Sequence, residues 1–169
     1  TVPIALPLMV INVGHTTMDL PLIGAINFGL LYPLILVPIG IVGAAGAFNI
    51  VAGMNGLESG MGMIILGALG TIAFFSGQAW LALVCFIAIA ALLGFLCFNW
   101  TPARVFMSDS GTYVIGALIG CVAILGNMEK IAIMMLPLYF LDIALYMKGR
   151  LIDKLGHFQA WGKPNKDDS

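Results

Sequence analysis

Two short polar stretches carry most of the chemistry this chain can offer. FNIVAGMNGLESG, from Phe48 to Gly60, sets Asn49, Asn55 and Glu58 among small residues, and FNWTPARVFMSDSGTY, from Phe98 to Tyr113, holds Arg104 and Asp109. Asparagine commonly satisfies the backbone groups of a helix end, so Asn49, Asn55 and Glu58 can each be read as a cap; three together point past capping. Asp109 has two readings. It can be an N-cap, or it can be an acid beside helix N-terminal amides that holds Mg²⁺ against a diphosphate, because Mg²⁺ takes one or two carboxylates together with substrate phosphates.

What positions these stretches is apolar. The 45 residues from Ser59 to Ala103 contain no charged side chain. A bilayer core of about 30 Å needs roughly 20 helical residues to cross it, so this run makes two crossings. Hydrophobic residues are 61% and charged ones 9% of the 169, with mean hydropathy +1.07, whereas a soluble domain carries about 25% charge. The fold class expected is all-α: a polytopic transmembrane helix bundle. A net charge of -1 offers no clustered basic face for nucleic acid.

Reading along the chain, five full spans are expected, at about 28–48, 61–76, 79–98, 111–127 and 130–147, with Ser76-Gly77-Gln78 turning the second into the third. Residues 1–147 form the transmembrane domain and 148–169 a basic cytosolic tail. Thr1 to Val13 is apolar but too short to cross, and reads as the end of an earlier helix. The sequence is therefore expected to be part of a longer chain. Lys148, Arg150, Lys154, Lys163 and Lys166 lie in the tail, and cations concentrate on the cytoplasmic side. Counting back from a cytosolic tail puts Arg104 inside as well, and gathers Asn49, Asn55, Glu58, Arg104 and Asp109 at one cytosolic face.

The two loops, about fifty residues apart, resemble the paired cytosolic loops of the polyprenyl-phosphate N-acetylhexosamine-1-phosphate transferases. The N-G-L-E form at Asn55 to Glu58 and the WGKPNKDD of the tail are most similar to the eukaryotic and archaeal dolichyl-phosphate branch; bacterial relatives usually place aspartates at those two positions. The resemblance implies transfer of GlcNAc-1-phosphate from UDP-GlcNAc to a polyprenyl or dolichyl phosphate, releasing UMP, as the first step of lipid-linked oligosaccharide assembly. It implies Mg²⁺, with Mn²⁺ as a substitute. By matching position, Asn49 and Asp109 would be metal ligands, with Asp109 the catalytic residue, and Asn55, Glu58 and Arg104 would meet substrate. For Asn55 that means the uracil base. Arg104 is open between phosphate pairing, a structural role and interfacial anchoring, and the part played by Glu58 is open. The membrane would be an archaeal-type cell membrane or the endoplasmic reticulum, and a homodimer is compatible with the pattern. Two departures stand out: Ser108 replaces the usual glycine before the aspartate, and the family's upstream aspartate pair is absent, so these residues alone are expected to be inactive.

Other residues read as architecture. Cys85, Cys97 and Cys121 sit in apolar spans without metal-ligand spacing, as small hydrophobes do. His15 and His157 fall on opposite sides of the membrane. Gly40, Gly43 and Gly46, and the pair Gly116 and Gly120, form small-residue faces suited to close helix packing. Asp142 lies within a span, where an acid is expensive and often functional, but near enough the inner end to reach water or Lys148. The rival readings are a bacterial-type sugar-1-phosphate transferase of envelope synthesis, a transporter or channel subunit, and a membrane scaffold. A transporter would place polar groups near mid-membrane, whereas here they concentrate in loops.

Overall fold

The computed structural model describes residues 2–10, 17–20, 24–27, 29–50 and 55–135, together with positions 139, 144 and 148. The expectations for His15, Asp142, His157 and the tail cations other than Lys148 lie outside them. The chain divides into two units, Thr1–Met135 and Leu136–Ser169, and the helices that follow belong to the first.

Apolar sequence with few helix breakers gives helices, and the breakers decide where they stop. Helix α1 covers Val2–Val10. Helix α2, Val37–Ile50, is entered through a π-helical turn over Tyr32–Leu36, the two running together for 19 residues. Pro38 has no N–H to offer, and just before it the N–H of Val37 reaches back to the carbonyl of Tyr32, the longer reach that defines a π turn. Helix α3 is Leu57–Phe75 and α4 is Ala79–Asn99, turned on Ser76–Gln78 with Gly77 at φ +79°. Helix α5 is Asp109–Leu125 and α6 is Glu129–Met135. Among the described residues, three helical stretches, Tyr32–Ile50, Leu57–Phe75 and Ala79–Asn99, are long and apolar enough to cross a membrane, and α5 is a shorter apolar helix. The protein is an integral membrane helical bundle. A small antiparallel hairpin, β1 Thr17–Leu20 on β2 Gly24–Asn27, pairs Met18 with Ile26 and is an addition to the expected helices.

Helix α3 packs along α4, and α2 along α5. The second pair is unusually close. A Cβ on Gly116 would meet the Ala45 Cα at 2.6 Å, and one on Gly120 would meet the Ile41 Cα at 3.1 Å, so both positions of α5 are glycine because backbone lies against them. On α2, however, the partners are Ile41, Ala44, Ala45 and Phe48 rather than its glycines. A Cβ on Gly43 or Gly46 would meet nothing within 4 Å, and one on Gly40 would meet only Ile124, at 3.8 Å. The expectation that Gly40, Gly43 and Gly46 form a packing face is corrected accordingly: a spacing of three lies on the wrong side of a helix whose contacts recur every four residues. Cys85 is buried, 2.8 Å from where a Cβ on Gly70 would stand, as a small apolar group.

At the far end from the polar loops, the Tyr32 hydroxyl donates to Glu129 Oε1 and Gln78 Nε2 donates to the Gly126 carbonyl at 3.5 Å. These contacts join the π-helical turn that leads into α2 to α6, and the α3–α4 turn to the α5–α6 turn.

Candidate active site

A buried polar side chain in an apolar bundle costs several kcal/mol unless it is hydrogen-bonded, so where such groups gather is informative. Among the described residues, the buried polar or charged side chains are Glu58, Ser59, Asn99 and Thr112. All four lie at helix ends: the first turn of α3, the last residue of α4 and the first turn of α5. The end of the bundle singled out by the two loops is thus also where its interior turns polar.

Two side-chain ties hold the loops together there. In the first, Asn49 Nδ2, in the last turn of α2, donates to Thr112 Oγ1 at 2.8 Å, and Thr112 Oγ1 donates to the Asp109 carbonyl at 2.9 Å. In the second, Asn99 Oδ1 accepts from the Gly56 N–H at 2.8 Å while its Nδ2 donates to the Val105 carbonyl at 2.8 Å. Asn99 is 1% exposed, and its amide bridges the Asn55-Gly56 turn to the segment carrying Arg104. Gly56 sits at φ +76°, and a Cβ there would also meet Leu96 at 3.3 Å; glycine has no Cβ and adopts that conformation freely.

The structure also separates the cap readings from the others. The N-cap of α3 is Gly56, with no side-chain cap, so neither Asn55 nor Glu58 fills that role. Asn49 is committed to Thr112. The N-cap of α5 is Ser108, also without a side-chain cap bond, and Asp109 is the first helical residue. Ser108 lies at φ -75°, ψ 164°, extended backbone that serine adopts without strain, so the replaced glycine leaves the geometry of the turn intact.

Asn49 and Asp109 are therefore brought together through Thr112, and the Asn55 and Arg104 loops through Asn99. Asp109, Asn55 and Arg104 are exposed, and among the described residues their side chains make no hydrogen bond or ion pair. Glu58 differs. It is 6% exposed, set behind the loop surface in the first turn of α3, where helix amides favour a negative charge. Asn99 and Thr112 had no role assigned from sequence. The signal that could have found them is polarity inside the first or last turn of an apolar helix, next to a candidate ligand.

The donors left facing solvent suit a hard cation. Asp109 offers anionic oxygens and Asn49 keeps its Oδ1 unbonded among the described residues, and no cluster of three or more His, Cys, Asp or Glu is found among those residues. A carboxylate and a neutral amide oxygen are ligand types that Mg²⁺ takes together with water and phosphate. Thiolate and imidazole sets, which softer metals prefer, are absent among the described residues.

Residues 1–127 match the model of glycosyl transferase family 4. The chain is 36% identical over 170 residues to a Sulfolobus acidocaldarius protein provisionally named UDP-N-acetylglucosamine–dolichyl-phosphate N-acetylglucosaminephosphotransferase, a match that covers 95% of this chain and 52% of that one. A Saccharolobus solfataricus protein with the same name is 41% identical over 147 residues, 85% of this chain and 45% of its own. A phospho-N-acetylmuramoyl-pentapeptide-transferase of Listeria innocua is 34% identical over 122 residues, 72% of this chain and 36% of its own. The chain spans about half the length of the archaeal relatives it matches. With most of its residues, 1–127, under one family model, this chain belongs to glycosyl transferase family 4.

Proposed function

We propose that the full-length protein carrying this chain transfers GlcNAc-1-phosphate from UDP-GlcNAc to a polyprenyl or dolichyl phosphate, beginning the assembly of a lipid-linked oligosaccharide. A phosphate oxygen of the lipid attacks the phosphorus that bears GlcNAc. The bond from that phosphorus to the bridging oxygen breaks, and UMP leaves with the electron pair. The observation that carries this reading is the pair of side-chain ties, which set Asn49 beside Asp109 and the Asn55 turn beside the Arg104 loop.

Asp109 and Asn49 would hold Mg²⁺. Bound there, Mg²⁺ supplies charge neutralisation on the diphosphate and the departing UMP. Asn55, exposed at the turn, both donates and accepts, as a uracil edge requires. Arg104 would pair with phosphate, and Glu58 would meet substrate beside it. The protein's work is positioning and charge stabilisation rather than covalent chemistry. The site faces the cytosol in this reading, in an archaeal-type cell membrane or the endoplasmic reticulum.

The test uses full-length protein in detergent with UDP-GlcNAc, dolichyl phosphate and Mg²⁺. Formation of UMP and GlcNAc-diphospholipid in equal amounts is expected, with loss of both on chelation. UDP-N-acetylmuramoyl-pentapeptide as the better donor would move the protein to the bacterial type of reaction, and no product from either donor would sink the reading. Asn55→Ala should chiefly weaken UDP-GlcNAc binding by titration. Because the relatives are about twice as long, the 169 residues alone are expected to release no UMP.

A further inference from the structure

Thr112 is a side chain whose options are few enough to be counted. Its hydroxyl is fully buried and carries one proton and two lone pairs. That proton is directed to the Asp109 carbonyl at 2.9 Å. At 2.8 Å from Asn49, the hydroxyl therefore has only a lone pair to present, and only the amide nitrogen of Asn49 can meet it. Were the Asn49 amide turned over, its carbonyl oxygen would face that lone pair with no proton between them. Asn49 Oδ1 is thereby kept away from Thr112, and among the described residues no other hydrogen bond claims it.

Where the two residues sit explains why the arrangement holds. Gly120 packs on Ile41 and Gly116 on Ala45, and one further step of four on each antiparallel helix reaches Thr112 and Asn49. The polar pair is the last rung of a ladder whose other rungs are backbone against backbone. The rung distance is fixed by the glycines, so the pair cannot relax apart.

We propose that Thr112 is a positioning residue for the metal site: its hydroxyl selects the amide orientation in which Asn49 offers a cation oxygen rather than nitrogen. The proposal rests on the reading of Asn49 and Asp109 as metal ligands. Mg²⁺ and Mn²⁺ take oxygen from an amide, and the NH₂ face, carrying positive partial charge, repels them. Groups that orient a metal ligand in this way typically account for about 10–100-fold in affinity.

The experiment titrates full-length protein in detergent with Mn²⁺, following the loss of the free-ion EPR signal, with no donor present. Thr112→Val keeps the shape and removes the hydroxyl; Mn²⁺ affinity should fall by about 10–100-fold. Thr112→Ser keeps the hydroxyl and should bind within a few-fold of wild type. Thr112→Val combined with Asn49→Asp should regain affinity, because a carboxylate has no wrong face; a packing defect would not be repaired this way. Thr112→Ala gives the same reading should valine not be tolerated. Wild-type affinity in both Thr112→Val and Thr112→Ala overturns the proposal, and so does a loss in Thr112→Ser equal to that in Thr112→Val. Asp109→Asn is the separate arm: if it too leaves Mn²⁺ affinity unchanged, the metal-site reading itself fails, whereas a loss there with none in the Thr112 variants removes this inference alone.

Discussion

Asp109 occupies the first turn of α5 with its carboxylate exposed and, among the described residues, without a protein partner. A helix N-terminus favours a negative charge there by about 0.3–1 kcal/mol, so Asp109→Asn should cost little stability. Its effect on turnover should be far larger, a fall of roughly 10²–10³, the scale of one preorganised electrostatic stabiliser. Mg²⁺-dependent UMP release from matched amounts of full-length protein measures it, and near-normal turnover would reduce Asp109 to a helix-end charge. Asn99 predicts a different pattern. Asn99→Ala leaves the buried Gly56 N–H and the part-exposed Val105 carbonyl without their partner, at about 1–3 kcal/mol for the buried N–H, and should loosen the Asn55 turn. UDP-GlcNAc affinity should drop while Mn²⁺ affinity holds, since the Asn49–Thr112–Asp109 chain is untouched; equal losses in both would mean that the two ties are not independent. Residue chemistry was partly legible in the sequence. Asn49, Asn55, Arg104 and Asp109 stand out because polar groups between apolar spans need a reason. Asn99 stands in the same stretch yet is silent alone, because its acceptor role depends on a backbone N–H 43 positions earlier that only the fold brings near.

At the scale of elements, the α2–α5 contact sets the metal-side tie. Gly116→Val puts a branched side chain where even a Cβ would lie 2.6 Å from the Ala45 Cα and 2.7 Å from the Ala44 carbonyl. Backbone cannot yield as a flexible side chain does, so the helices must separate, at a cost of about 1–3 kcal/mol for overpacking. One rung further on, the Asn49–Thr112 bond should lengthen too. Gly43→Ala is the matched control: it faces open space and should be neutral or stabilising by up to about 1 kcal/mol, from helix propensity. Unfolding in a denaturing-detergent titration separates the two, and equal stability of both variants would refute the close-packed register. That small residues form packing faces is visible in the sequence. Which face meets a partner is not, because Gly40, Gly43 and Gly46 look as suitable as Ala44 and Ala45 until a second helix chooses the side.

For the whole molecule, the bilayer is a ruler that composition can be read against, which is why apolar helices were legible while the Thr17–Asn27 hairpin was not: four-residue strands leave little pattern to detect. The connections alternate between two ends. The Asn55-Gly56 turn and the Trp100–Ser108 segment are joined at one end through Asn99, and the Ser76–Gln78 turn meets the Gly126 turn at the other through Gln78. Three helices of 19 to 21 residues between them have spanning length and composition, so the two ends should lie on opposite sides of the membrane. Arg104 stands at the first end, and the proposed function turns that end to the cytosol, where cations concentrate. Single cysteines at Asn55 and Ser110, both exposed, should react with a membrane-impermeant maleimide in inside-out vesicles, and one at exposed Ser76 in right-side-out vesicles. Cys85, Cys97 and Cys121 must first be replaced, since Cys97 is itself exposed. Ser76→Cys labelling from the same side as Ser110→Cys would leave α4 without its crossing, and from the same side as Asn55→Cys would leave α3 without its own. Labelling on opposite sides but in the reverse sense would keep the helical bundle and turn the candidate site away from the cytosol, where a nucleotide-sugar donor is met.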